Sequence, residues 1–250
     1  MSGHNKWSSI KHKKGAADAK RGKIFSKIAK EIMVTVRASG SDPNSNITLR
    51  ALIEKGRAAN MPSDNIERAI KRGAGELEGE VLEEVTFEGY GQGGVGLVVQ
   101  TLTNNRNRSA AEVRHVFTRH GASFAGQGSV LRSFQRKGDI LVEASKVSEE
   151  KLMELVLDAG AEDMTNEGEH FEITTDPSRF MNVVDALKKA NIPMAQSEIS
   201  LIPDVVVPIS DKSKAEAMIR FIEELEDLDD VQNVYSNFDV DPAIAEQLSK

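Results

Sequence analysis

One change of period constrains this chain more than any other feature. Apolar residues recur at helical spacings of three and four up to about residue 70. Beyond Gly79 they fall into short β-rich runs separated by turns. In the first part, Ile24, Phe25, Ile28, Ile32, Met33 and Val36 form one stripe, ended by the turn cluster SGSDPNSN. A second helix is expected from about Ile47 to Ala59, capped by Asn46 and stopped by Asn60-Met61-Pro62. Ser63 caps a third, short helix that closes on Lys71-Arg72-Gly73, cations and a glycine at its negative pole.

The β-rich part has its own order. VTFEGY and VGLVVQTLT read as a hairpin, NRNRSAAEVRHVFTRHG as a helix, and roughly Ala122 to Phe134 as a further strand. DILVEA, SEEKLMELVLDAG, EDMTNEGEHFEITT, DPSRFMNVVDALKKAN and MAQSEISLI then run β-α-β-β-α-β, the split ferredoxin-like plan. VVVPI, SDKSKAEAMIRFIEELEDL and DVQNVYSNF remain as a β-α-β unit without a sheet of its own. The expected fold class is therefore α+β and multidomain. A basic flexible arm spans 1–20, and a three-helix nucleic-acid-binding domain spans 21–78. A discontinuous α+β domain takes 79–134 plus 204–250, with a domain of 135–203 inserted in it, and both are expected to be ferredoxin-like.

Charge follows the same division. Residues 1–75 carry 16 lysines and arginines against 6 acids, while the rest of the chain carries 16 against 33. An acidic protein (net charge -7) with one concentrated basic end points to an anionic partner for that end. The cations begin in Lys6, Lys11, Lys13, Lys14, Lys20, Arg21 and Lys23, interleaved with Trp7 and His12. Lys23, Lys27 and Lys30 lie mostly off the apolar stripe and are expected to face water or phosphate. Trp7 either stacks on an unpaired base, worth about 1–3 kcal/mol, or packs on the arm's own helix. A second basic cluster holds Arg106 and Arg108 at a helix start, where unpaired N–H groups also favour phosphate. The competing reading pairs these arginines with the acidic C-terminal part.

Other chemistries find little support. Without cysteine there is no disulfide, thiolate metal site or cysteine nucleophile. GYGQGG matches a dinucleotide-loop spacing, but a strand follows it rather than a helix, so it reads as a hairpin turn. The five histidines show no metal-ligand spacing, and EELEDLDD reads as a solvated acidic face. No cofactor, no metal and no enzyme activity are expected. The start MSGHNKWSSIKHKK has no apolar core, and no run is long enough to span a membrane, so the expected place is the cytoplasm.

Four blocks resemble the YebC/PmpR family: GHNKWSSIKHKKGAADAKRGKIFSKIAKEI, ANMPSDNIERAIKRGAGE, EGYGQGGVGLVVQTLTNNRNRSAAEVRHVF and VQNVYSNF. They run from residue 3 to about 238. The resemblance implies a helical N-terminal domain and two α/β domains around a cleft, no catalytic activity, and a bacterial form without a transit peptide. It also implies DNA-binding regulation of transcription. Mitochondrial relatives are translational activators of cytochrome c oxidase, and some bacterial relatives act on ribosomes stalled at proline-rich stretches. Two partners therefore stay open, duplex DNA and ribosomal RNA. The acidic C-terminal domains are candidates for meeting the ribosome or another protein.

Overall fold

The computed structural model describes residues 18–241 together with Ile244 and Gln247, and side chains from residue 22 onward. The chain is an α+β protein in which a helical N-terminal region precedes two sheet domains. Helices α1 (Asp18–Ser39), α2 (Ile47–Ala58) and α3 (Ser63–Gly73) form the N-terminal bundle. The stripe on α1 packs as its spacing requires: Ile28, Ile32 and Val36 meet Leu49, Met61, Ile66 and Ala69 in one core. Fully buried residues such as Ile32 and Leu49 contribute about 1.5–3 kcal/mol each. Asn46 caps α2 by accepting from the Leu49 N–H at 3.0 Å, and its own amide donates to the Gly40 carbonyl at 2.8 Å. Ser63 opens α3 without a side-chain cap; Pro62 occupies the cap position. Gly73 lets α3 close on α1, since a Cβ there would stand 2.7 Å from the Met33 carbonyl oxygen.

The first sheet is antiparallel with strand order β3-β1-β2-β9, from β1 (Glu83–Tyr90), β2 (Gly96–Thr103), β3 (Ser123–Ala125) and β9 (Val231–Ser236). GYGQGG makes the β1–β2 turn, with Gly93 at φ 74° and Gly94 at φ 79°, where glycine carries no Cβ penalty. Helices α4 (Arg106–Arg119) and α7 (Lys212–Glu226) cover one face through Val113, Phe117, Phe221 and Ile222.

The second sheet lies between β3 and β9 in sequence. Its order is β5-β6-β4-β7, built from β4 (Phe134–Glu143), β5 (Ala161–Asn166), β6 (His170–Thr175) and β7 (Met194–Pro203). Helices α5 (Glu149–Ala159) and α6 (Phe180–Lys189) cover one face around Ile140, Leu152, Ile173 and Leu187. The chain thus leaves one sheet, completes another, and returns. A short parallel pair, β8 (Val207–Ile209) with β10 (Phe238–Val240), follows the return.

Ser148 stands at the α5 cap position and makes no side-chain cap bond. One local expectation is corrected. The strand expected over 122–134 shrinks to β3. The cause is Glu88, a buried carboxylate on β1 that accepts from the N–H groups of Gly128, Val130 and Leu131 at 2.6, 2.7 and 2.8 Å. Those donors turn toward a side chain instead of a neighbouring strand, so the segment is a clamped loop. Burial works to raise the Glu88 pKa, but the three backbone donors outweigh it and hold it below the ordinary range.

Candidate nucleic-acid interface

Lys23, Lys27 and Lys30 recur at spacings of four and three, so they lie along one side of α1. That side meets the end of α7. Lys23 Nζ donates to the Asp227 carbonyl at 2.7 Å, Lys27 Nζ to the Glu226 carbonyl at 2.9 Å, and Lys30 Nζ to the Asp229 carbonyl at 3.0 Å. Lys23 also stands 3.5 Å from the Asp227 carboxylate. The last carbonyls of a helix lack partners and carry partial negative charge. In α7 the last turn holds no basic residue, and acids crowd the same pole. The lysines of α1 offset that arrangement from another domain. Two expectations are corrected here. The three lysines do not simply face water or phosphate, and EELEDLDD is not merely a solvated face, because its end is their docking site.

Asp230 is the centre of this junction. The residue is 6% exposed. One carboxylate oxygen accepts from Lys30 Nζ at 3.2 Å. The other accepts from the Thr103 hydroxyl at 3.0 Å, the Ser109 hydroxyl at 2.8 Å and the Arg108 guanidinium at 2.7 Å. Burial alone would raise its pKa. The bonds from Arg108, Ser109, Lys30 and Thr103 outweigh burial and hold it at about 2. Asp230 therefore ties α1, β2, the start of α4 and β9 to one charge.

The arginine cluster divides accordingly. Asn105 caps α4, accepting from the Arg108 N–H at 3.1 Å. Arg108 gives its guanidinium to Asp230 and to the Asn104 side chain, which corrects the expectation of a free phosphate fork. Arg119 pairs with Glu224 on α7, and the Arg114 guanidinium lies 5.1 Å from the Phe124 ring centre. Arg106 remains exposed at the helix start, with no ion pair among the described residues. Lys6, Trp7, Lys11, His12, Lys13 and Lys14 lie outside the described residues. Lys20 and Arg21 fall on the first turn of α1, with side chains outside the described set.

Three cations that the motif reading passed over stand out. Arg37, Lys71 and Arg72 are exposed and make no ion pair with any described residue. The approach of Gly73 to Met33 and Val36 sets the last turn of α3 beside the α1 residues that precede Arg37. In sequence Lys71 and Arg72 read only as helix-terminating charges, because nothing within that segment shows that its end packs beside α1. Among the described residues no group of His, Asp or Glu could hold a metal ion, and no helix is long and apolar enough to cross a membrane.

Comparison with known proteins places these features in a wider set. Residues 5–76 match the family model for the TACO1/YebC protein N-terminal domain, and residues 82–238 match that for the TACO1/YebC second and third domain. A relative from Geobacter sulfurreducens, named "Probable transcriptional regulatory protein", is 51% identical and covers 99% of this chain and 100% of its own. One of the same name from Syntrophobacter fumaroxidans is 48% identical, over 100% of each chain. A crystal structure of a conserved hypothetical protein from Aquifex aeolicus, 47% identical, superposes with a TM-score of 0.80 over 90% of this chain and 92% of its own.

Proposed function

This chain belongs to the TACO1/YebC family, and from that premise we propose that it is a nucleic-acid-binding regulator of transcription acting in the cytoplasm. The observation that carries the proposal is the segregation of charge: 16 cations against 6 acids in residues 1–75, and 16 against 33 beyond. Lysine and arginine in such a concentration neutralise phosphates and release counterions. The acidic body repels the same backbone and restricts contact to one end of the molecule. Lys23, Lys27 and Lys30 anchor that end to α7, so the cations left for phosphate are Lys6, Lys11, Lys13, Lys14, Lys20 and Arg21, together with Arg37, Lys71, Arg72 and Arg106. Relatives carrying a transcriptional-regulator name over full-length alignments support the same reading.

Fluorescence anisotropy with labelled duplex DNA and with a folded RNA, each at low and moderate salt, tests it. If about 6–10 phosphates are contacted, affinity for DNA falls by about 10³–10⁵ between 50 and 200 mM salt. Lys13→Glu with Lys14→Glu, and separately Lys71→Glu with Arg72→Glu, each weaken binding and flatten the salt slope. Absence of salt-sensitive binding to either polymer overturns the proposal. Tighter binding to RNA, with salt-sensitive co-sedimentation on ribosomes, moves the role from transcription to translation.

A further inference from the structure

The three domains line an open cavity of about 370 Å³ on the face of the first sheet opposite α4 and α7. Its walls come from α1 and α2, from β2 and β9 with Glu84 of β1, and from the edge strand β7 with Arg136 of β4. The volume lies in the range of small-molecule sites. Apolar side chains such as Leu52, Leu102 and Leu201 line part of it, and charged groups line the rest.

The charges do not balance. Lys55 Nζ sits between two carboxylates, 3.6 Å from Glu31 Oε2 and 3.4 Å from Glu198 Oε2, so one ammonium faces two negative groups. Glu84 adds a third carboxylate and makes no ion pair with any described residue; Arg136 likewise makes none. The same charges act on the Tyr235 phenol. Burial pushes its pKa up, Glu198, Glu31 and Glu84 push it further, and Arg136 alone opposes them.

Gln232 supplies a second, independent observation. The β2–β9 register shifts between Gln100 and Thr101, and Gln232 is the residue left unpaired on β9. Bulges re-aim side chains in this way. Gln232 lines the cavity, is 7% exposed, and donates through Nε2 to the Asp230 carbonyl at 3.3 Å. A carbonyl only accepts, so the amide nitrogen must face Asp230, which fixes the orientation of the amide. Its Oε1 then has no donor. A buried acceptor without a donor costs about 1–3 kcal/mol.

We propose that this three-domain cavity binds a small organic molecule carrying an ammonium group, held by Glu84 and the surplus charge of Glu31 and Glu198, with Gln232 Oε1 accepting an N–H. An anionic ligand would meet three carboxylates and an acceptor amide against two cations, Arg136 and a Lys55 already shared by Glu31 and Glu198. A neutral apolar one would leave Gln232 unsatisfied. The Tyr235 ring adds a surface on which a cation is attracted. The inference stands whether or not the chain binds nucleic acid.

Two ligand sources share this chemistry, diamines and amino acids with a second amine, and Arg136 separates them. Putrescine and L-ornithine differ only by the α-carboxylate, so calorimetric titration of the full chain with each is the test. Saturable binding of at least one is expected, at one site per chain. Glu84→Gln, an exposed substitution that leaves the core intact, should weaken it by about tenfold or more, and Gln232→Leu should do the same. Tighter binding of ornithine, with the advantage lost in Arg136→Gln, identifies a zwitterion bound through Arg136. Tighter binding of putrescine identifies a diamine bound by the carboxylates alone. No saturable binding of either probe, or unchanged affinity in both Glu84→Gln and Gln232→Leu, overturns the proposal.

Discussion

Asp230 on the first sheet domain and Asp139 on the second are buried to the same degree, each 6% exposed, yet they titrate in opposite directions. Asp230 meets four donors, and its pKa is held at about 2. Asp139 lies on β4 directly opposite Glu198 of β7, and its Oδ1 has no hydrogen-bond partner. Burial first, and then the Glu198 charge, push its pKa up to about 7. Nearby Glu172, on β6, is pushed up to about 9 by burial and then by Asp139, Glu167 and Asp163. Burial therefore does not decide whether a carboxylate stays charged; the donors around it do. The first sheet domain uses a buried charge to hold another domain. The second carries buried carboxyls whose easiest form is neutral.

The largest effect expected from breaking this contrast is at Asp230. Replacing it by alanine takes one acceptor from each of Thr103, Ser109, Lys30 and Arg108, and should cost about 2–3 kcal/mol at pH 7, read as a lower urea midpoint. Its folded pKa lies below the ordinary value of about 3.9, so its contribution is complete above about pH 4 and disappears as pH falls through about 2. The variant and the parent should converge at that acid limit. Amide exchange in α1 should also quicken, because Lys30 loses its carboxylate partner and keeps only the Asp229 carbonyl. A variant as stable as the parent at pH 7 would sink the view of Asp230 as the junction's anchor.

Asp139→Asn should act the other way. With a folded pKa of about 7, Asp139 costs nothing below about pH 4, where both folded and unfolded chains are protonated. The cost grows between about pH 4 and 7 as only the unfolded chain ionises, and is constant above that. Asparagine removes it, and its N–H groups can donate to Glu198. The variant should be about 1–2 kcal/mol more stable at pH 8 and no different at pH 3, measured by urea unfolding at the two pH values. Destabilisation at pH 8 would show that Asp139 is charged and paired.

The architecture was more legible than the junction, for physical reasons. Ile28, Ile32 and Val36 announce α1 because helical burial imposes a spacing visible within one segment. The β-α-β-β-α-β order shows through for the same reason, since each element carries its own period and turn residues. The segment after β3 was misread because the Glu88 clamp acts across forty positions of sequence and has no periodic trace. The lysine row on α1 was visible, but its partner was not. Lys23, Lys27 and Lys30 bond to residues 199 to 204 positions away. A row of cations looks alike whether it faces a phosphate or the negative end of a helix. Composition showed that Arg108 had acids available, and only the fold selects Asp230 among them.

The smallest expected effect sharpens the contrast at the rim of the same junction. The three α1 lysines touch one helix end, but their surroundings differ. Lys30 is 23% exposed and faces Asp230, itself 9% exposed on its side chain; Lys23 is 45% exposed and faces Asp227, 70% exposed. Water and salt screen the outer pair, so Lys23→Ala should cost about 0.5 kcal/mol or less. Lys30→Ala should cost about 1–2 kcal/mol, because it takes a donor from a buried carboxylate. Raising salt should erase the Lys23 difference and leave most of the Lys30 one, since a Debye length of about 3 Å at 1 M screens exposed charges first. Urea unfolding of the two variants at low and high salt reads both numbers. If Lys23 and Lys30 cost the same at both salts, the helix-end carbonyls hold α1, and the charge of Asp230 adds little to them.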